Sequence, residues 1–146
     1  MRYILVLAVT AVSAVAFVGT AAADRVYHTE RLALSGVGGA PGGGMVVNVH
    51  PNGSNVYAHE IYTLSHAVPG EYQVFLNLFP TSLDCTGPTV ALPTATLTTN
   101  AAGNGRADVK FTPEGAAELR HMTFSISWTV AGPATYVTAC TVVTLD

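Results

Sequence analysis

Residues 95–111 read ATLTTNAAGNGRADVKF, and this stretch does most to limit what the chain can become. Ala95 and Leu97 share one side of a short run, with Thr96 and Thr98 on the other. In the second run Ala107, Val109 and Phe111 alternate with Arg106, Asp108 and Lys110. A period of two with an oily side and a polar side is the signature of a half-buried β-strand. The intervening Asn100–Gly105 segment is rich in residues that tolerate a left-handed backbone. The stretch therefore predicts a β-hairpin with one buried face, which other strands must cover.

The chain begins with a segment that does not belong to that domain. Met1–Arg2–Tyr3 is a short basic region, Ile4–Val18 is apolar apart from Thr10 and Ser13, and small residues follow up to Ala23. This is the layout of a secretory signal peptide over residues 1–23, with residues 24–146 as a single mature domain. An uncleaved anchor is the alternative, but the apolar run is marginal for a membrane span and the small-residue site favours cleavage. No membrane span remains after cleavage. Nine acidic residues against six basic ones give a formal net charge of −3, and loss of Arg2 with the leader would take it to −4. Lys110 is the only lysine, and the sequence has no basic patch, so no nucleic-acid partner is expected. Cys85 and Cys140 are the only cysteines. In an exported chain a disulfide is the preferred reading of such a pair, with two buried thiols as the alternative.

The alternation continues along the chain. Strands are expected at 25–34, at 45–50 (Met45, Val47 and Val49 on one side), at 56–64 and at 71–79. In the last of these Tyr72, Val74, Leu76 and Leu78 face one way. Ser35–Gly44 (SGVGGAPGGG) reads as a loop, and Pro51–Asn55 as a hairpin turn. Three prolines in 80–93 restrict any strand there to a sheet edge. Thr112–Arg120 carries the one helical signal, with Thr112 as N-cap and Pro113 at the first helical position. In 122–130, Met122, Phe124, Ile126, Trp128 and Val130 point inward, with Phe124, Ile126 and Trp128 expected to cover Ala107, Val109 and Phe111. Thr135–Leu145 closes the chain as a β-branched strand. The expectation is an all-β, antiparallel β-sandwich of seven or eight strands with one short corner helix.

The runs YTLSHAVPGEYQVFLNL, ATLTTNAAGNGRADVKFTPEG and GPATYVTACTVVTLD resemble small exported immunoglobulin-like β-sandwich proteins of bacteria, most of them without an assigned activity. The likeness spans most of the mature chain and rests on turns, alternation and the cysteine pair. Trp128 stands near the second cysteine rather than the first, which departs from the antibody-type core. The resemblance implies a fold and does not imply a function.

Candidate sites are few. His50, His59 and His66 fall within 17 residues and are the natural candidates for a copper or zinc site. Against that, no His-x-His pair occurs, and His59–Glu60 lacks the second histidine of a metalloprotease helix. Surface histidines are preferred, with no metal or other cofactor. Glu60, Glu71, Asp84 and Asp108 are scattered acids, and no serine sits in a nucleophile elbow. Phe75 and Phe79, with Gln73 and Asn77, would form an aromatic and amide stripe able to stack on sugars. Packing with Tyr57 and Tyr62 is the preferred reading of these rings. The expected protein is a secreted, periplasmic or cell-envelope module that is structural or binds an extracellular protein or glycan, and is not an enzyme. A secreted metal-dependent enzyme built on His50, His59 and His66, and a carbohydrate-binding module, are the alternatives.

Overall fold

The computed structural model describes residues 27–51, 58–112 and 116–145. The leader 1–23, the 51–55 turn beyond Pro51 and most of the first helical turn after Thr112 lie outside the described residues. Nine strands are described: β1 (Tyr27–Gly36), β2 (Gly43–Pro51), β3 (Ala58–Ser65), β4 (Glu71–Phe79), β5 (Val90–Thr98), β6 (Gly105–Phe111), β7 (Met122–Ala131), β8 (Thr135–Thr138) and β9 (Thr141–Leu145). Every pairing is antiparallel. The order is β5-β4-β7-β8-β1-β2-β3-β6, with β9 added to β7.

That order departs from the expected sandwich. A sandwich divides its strands between two separate sheets, whereas here one sheet runs through every strand. The two ends of the path, β5 and β6, are the two arms of the 95–111 hairpin. They lie side by side without forming a ladder. The turn at 99–104 thus brings the ends of the sheet together and makes it a nearly closed barrel. Alternation specifies which side chains are buried, and it does so equally for a barrel and a sandwich.

The inner face carries Leu34, Val46, Tyr62, Leu64, Tyr72, Val74, Leu76, Leu78, Leu97, Phe124, Ile126, Trp128, Val130, Tyr136 and Val143. Strands β4 and β7 bury the faces their alternation indicates. Ala107, Val109 and Phe111 pack against the core while Arg106, Asp108 and Lys110 stay exposed. Strand β2 corrects the apparent apolar side of its sequence: Val46, Asn48 and His50 are buried, and Met45 is among the exposed hydrophobics. The expected final strand is two pieces broken at Ala139–Cys140. Among the described residues the helical signal corresponds to a 3-10 turn, Ala116–Leu119.

Cys85 and Cys140 form a disulfide with their Cα atoms 5.8 Å apart. It fastens segment 80–88 over the outside of β7. There the Ser125 N–H and hydroxyl both donate to Ser82 O, and Ser125 Oγ accepts from the Cys85 N–H at 2.9 Å. This cover explains why Ser125, on the outer side by alternation, is fully buried. The bridge closes a 55-residue separation. Replacing both cysteines by Ser is expected to cost about 2–4 kcal/mol in denaturant unfolding. An unchanged midpoint would contradict that role.

At one end of the barrel the 65–70 turn is held by tyrosines from inside. Tyr72 donates to Val68 O, and the Tyr136 hydroxyl accepts from the Val68 N–H at 3.3 Å while donating to Pro41 O at 2.8 Å. The hairpin turn docks beside it, with the Ala67 N–H donating to Gly103 O at 3.1 Å. Gly103 has φ +74°, and a Cβ there would fall 2.1 Å from Ala67 O. Gly103→Ala combines left-handed strain with a backbone clash. It should lower stability by roughly 1–3 kcal/mol, read from the thermal midpoint.

Candidate functional site

The barrel interior is apolar along most of its length and polar toward the other end. The register places the polar residues. Glu30 on β1 pairs with Asn48 on β2, and Asn48 pairs with Glu60 on β3. One step toward the apolar end lies the row Leu32, Val46, Tyr62 and Ala107. One step the other way His28 pairs with His50, and their rings stack with centroids 5.4 Å apart. His28 is exposed and His50 is buried. Trp128, reaching in from β7, is fully buried.

Part of this cluster is satisfied. Glu30 accepts from Asn48 Nδ2 at 2.9 Å through Oε2, and lies 3.1 Å from His50 Nε2 through Oε1. In the neutral imidazole this contact places the proton on Nε2 and leaves Nδ1 as an acceptor. The rest is unpaired. Asn48 Oδ1, His50 Nδ1, both Glu60 carboxyl oxygens and Trp128 Nε1 are buried with no hydrogen-bond partner among the described residues. By contrast Tyr62, the next inward residue after Glu60 on β3, has its hydroxyl 2.6 Å from Thr94 Oγ1. An unpaired buried polar group costs about 1–3 kcal/mol, so five such atoms in one region are a concentrated penalty.

Glu60 is the extreme member, with none of its surface exposed. Burial pushes its pKa up to about 8, against an ordinary value of 4.5. The Trp128 indole N–H beside it pulls in the opposite direction without reaching hydrogen-bond geometry. At neutral pH Glu60 is therefore mainly a neutral acid, with one O–H to donate and one carbonyl to accept.

The histidines singled out from the sequence do not meet. His50 points into the barrel, whereas His59 points out and lies 2.7 Å from Asp108. His66 stands at the opposite end of β3, where its N–H donates to Asn104 Oδ1. Among the described residues no group of three His, Cys, Asp or Glu side chains is placed to hold a metal ion. Phe75 and Phe79 are half-buried on the outside of β4. Their neighbours are occupied: Gln73 donates to Ala95 O at 2.8 Å, and Asn77 to Thr129 Oγ1 at 3.0 Å. Tyr62 lies inside the barrel and so cannot cover them, contrary to the expected packing. Tyr57 lies outside the described residues.

In the sequence Glu60 stands as one of several scattered acids, and no motif marks Glu30 or Asn48. The available signal was Ala58-x-Glu60-x-Tyr62-x-Leu64, an acid on the buried face of an alternating strand. No protein-family model matches the chain, and no curated protein and no solved structure matches it.

Proposed function

We propose that this is an exported, non-enzymatic binding module of the cell envelope or the extracellular space, and that it binds a small polar ligand at the polar end of its barrel. The leader-like N-terminus and the disulfide support export. The observation that carries the binding reading is the set of unpaired atoms on Asn48, His50, Glu60 and Trp128, drawn from three strands and enclosed together. A domain whose purpose was structural alone would gain stability from apolar residues at these positions. Small barrels hold single ligands inside in this manner. The sandwich and immunoglobulin likeness adds nothing to this reading, which rests on the interior of the barrel.

Trp128 is the only tryptophan, so its fluorescence reports on this site alone. Small amines, amides and carboxylic acids should be screened against the mature protein by that signal. At least one class is expected to shift it, and an Asn48→Leu, His50→Leu double variant that remains folded is expected to lose the response. A signal unmoved by every class, or retained in the double variant, would sink the reading.

A further inference from the structure

We propose that the enclosure formed by Asn48, His50, Glu60 and Trp128 receives the primary ammonium head of a small amine, which enters as a cation while Glu60 gives up its proton to solvent. This rests on the polar end of the barrel being a binding site. It goes further by naming the ligand's chemistry.

The pairing logic selects an ammonium. With Glu60 as a carboxylate, the free atoms are three acceptors in one neighbourhood, Asn48 Oδ1, His50 Nδ1 and one Glu60 oxygen, plus the Trp128 N–H donor. A primary ammonium has three N–H donors and no acceptor. It satisfies the three acceptors, and the second Glu60 oxygen then takes the Trp128 N–H. No orphan is left. A neutral amide cannot supply three donors from one nitrogen. A divalent cation such as calcium requires six to eight oxygens, which this row does not offer.

The placement agrees. Asn48 and Glu60 face each other across the β2–β3 ladder. His50 lies two positions from Asn48 on the same inward face. Two positions from Glu60 on the same inward face stands Ala58, whose side chain is only a methyl group. Glu30, which holds Asn48 and His50 in place, adds negative charge behind the acceptors. The ionisable groups around Glu60 are Glu30 and His28 on β1 and His50 on β2. Strand β6 opposes it with Val109, and β7 with Trp128. Arg120, just before β7, is a further charge, and its Nε is likewise buried without a hydrogen-bond partner. None of these groups accounts for the shift at Glu60, which burial and Trp128 set between them. Among the described residues no cation is paired with Glu60, and a cationic ligand would supply the compensating charge.

The balance is one proton out for one cation in: the Glu60 O–H bond breaks, its proton passes to buffer, and the ammonium keeps its three protons. Below the Glu60 pKa, near 8, apparent affinity should fall about tenfold per pH unit. The test is calorimetric titration with methylammonium chloride at pH 6.5 in two buffers of different protonation enthalpy. Trp128 fluorescence is followed in parallel, with potassium chloride and acetamide as matched probes. The expected result is binding of methylammonium with close to one proton released. Affinity should rise to a plateau above pH 8, and Glu60→Gln should weaken binding at least tenfold and abolish proton release while remaining folded. Potassium binding as well as methylammonium would overturn the proposal, as would methylammonium binding unaltered in Glu60→Gln. Binding of acetamide but not methylammonium would overturn the ammonium while leaving the binding module standing. If neither probe binds and the broader screen is also silent, both readings fall.

Discussion

Glu60→Gln is expected to stabilise the protein above pH 8 and to remove most of the decline in stability between pH 5 and pH 9. The folded-state pKa, about 8, lies above the ordinary value of 4.5, so between these limits the folded chain holds one more proton than the unfolded chain. The contribution is complete below about pH 4.5 and is lost as pH rises through about 8. The slope is on the order of 1 kcal/mol per pH unit, and the whole effect amounts to several kcal/mol. Against a typical total of about 5–15 kcal/mol, that would leave the barrel marginal at pH 9. Glutamine keeps the shape and the neutrality and cannot ionise. Urea unfolding at pH 5, 7 and 9 measures the difference, and a wild-type profile flat across that range would contradict it. The acid limb belongs to other groups. Hydrogen bonds from Ser82 and Thr86 hold the Asp84 carboxyl below its ordinary range, and a hydrogen bond from His59 does the same for Asp108. Their contributions are present above the ordinary carboxylate pKa and are lost on acidification below it.

Trp128→Ala should be the most damaging single truncation, at about 3–5 kcal/mol. The ring is fully enclosed and sits on the strand that pairs with β4, β8 and β9, opposite Leu76 in the ladder. Its backbone N–H is also held, by Thr138 Oγ1 at 2.9 Å. Trp128→Phe separates ring from N–H. The indole nitrogen has no partner to lose, so Phe should cost well under the alanine value. It should also raise the Glu60 pKa further, since the indole N–H is the one group that lowers it. Equal losses for Ala and Phe would show that the N–H, not the ring, matters to stability.

These effects concern residues whose faces the sequence showed and whose neighbours it did not. Trp128 was legible as an inward residue from the alternation of 122–130, and Cys85 and Cys140 were legible as a pair. Strand β2 was misleading because its regular apolar positions, Met45, Val47 and Val49, are the outer ones. Its buried positions hold Asn48 and His50, and Glu30 on the neighbouring strand gives each of them a hydrogen-bond partner there. That compensation is a matter of register between strands, which no single strand records. Closure of the sheet was hidden for the same reason, since it depends on where β5 and β6 end in the strand order. His50, His59 and His66 are close in sequence, but alternation and strand length separate them to inside, outside and the far end.

The charge state of one side chain tests the account most directly. Carbon-13 labelling of the glutamate carboxyls allows Glu60, assigned by comparison with Glu60→Gln, to be followed through a pH titration of the folded protein. The account predicts a carboxyl that remains protonated through neutrality and titrates near pH 8. A Glu60 resonance that titrates near 4.5 would mean that the side chain is solvated or paired, and the enclosed, unpartnered acid on which the binding site is built would not exist.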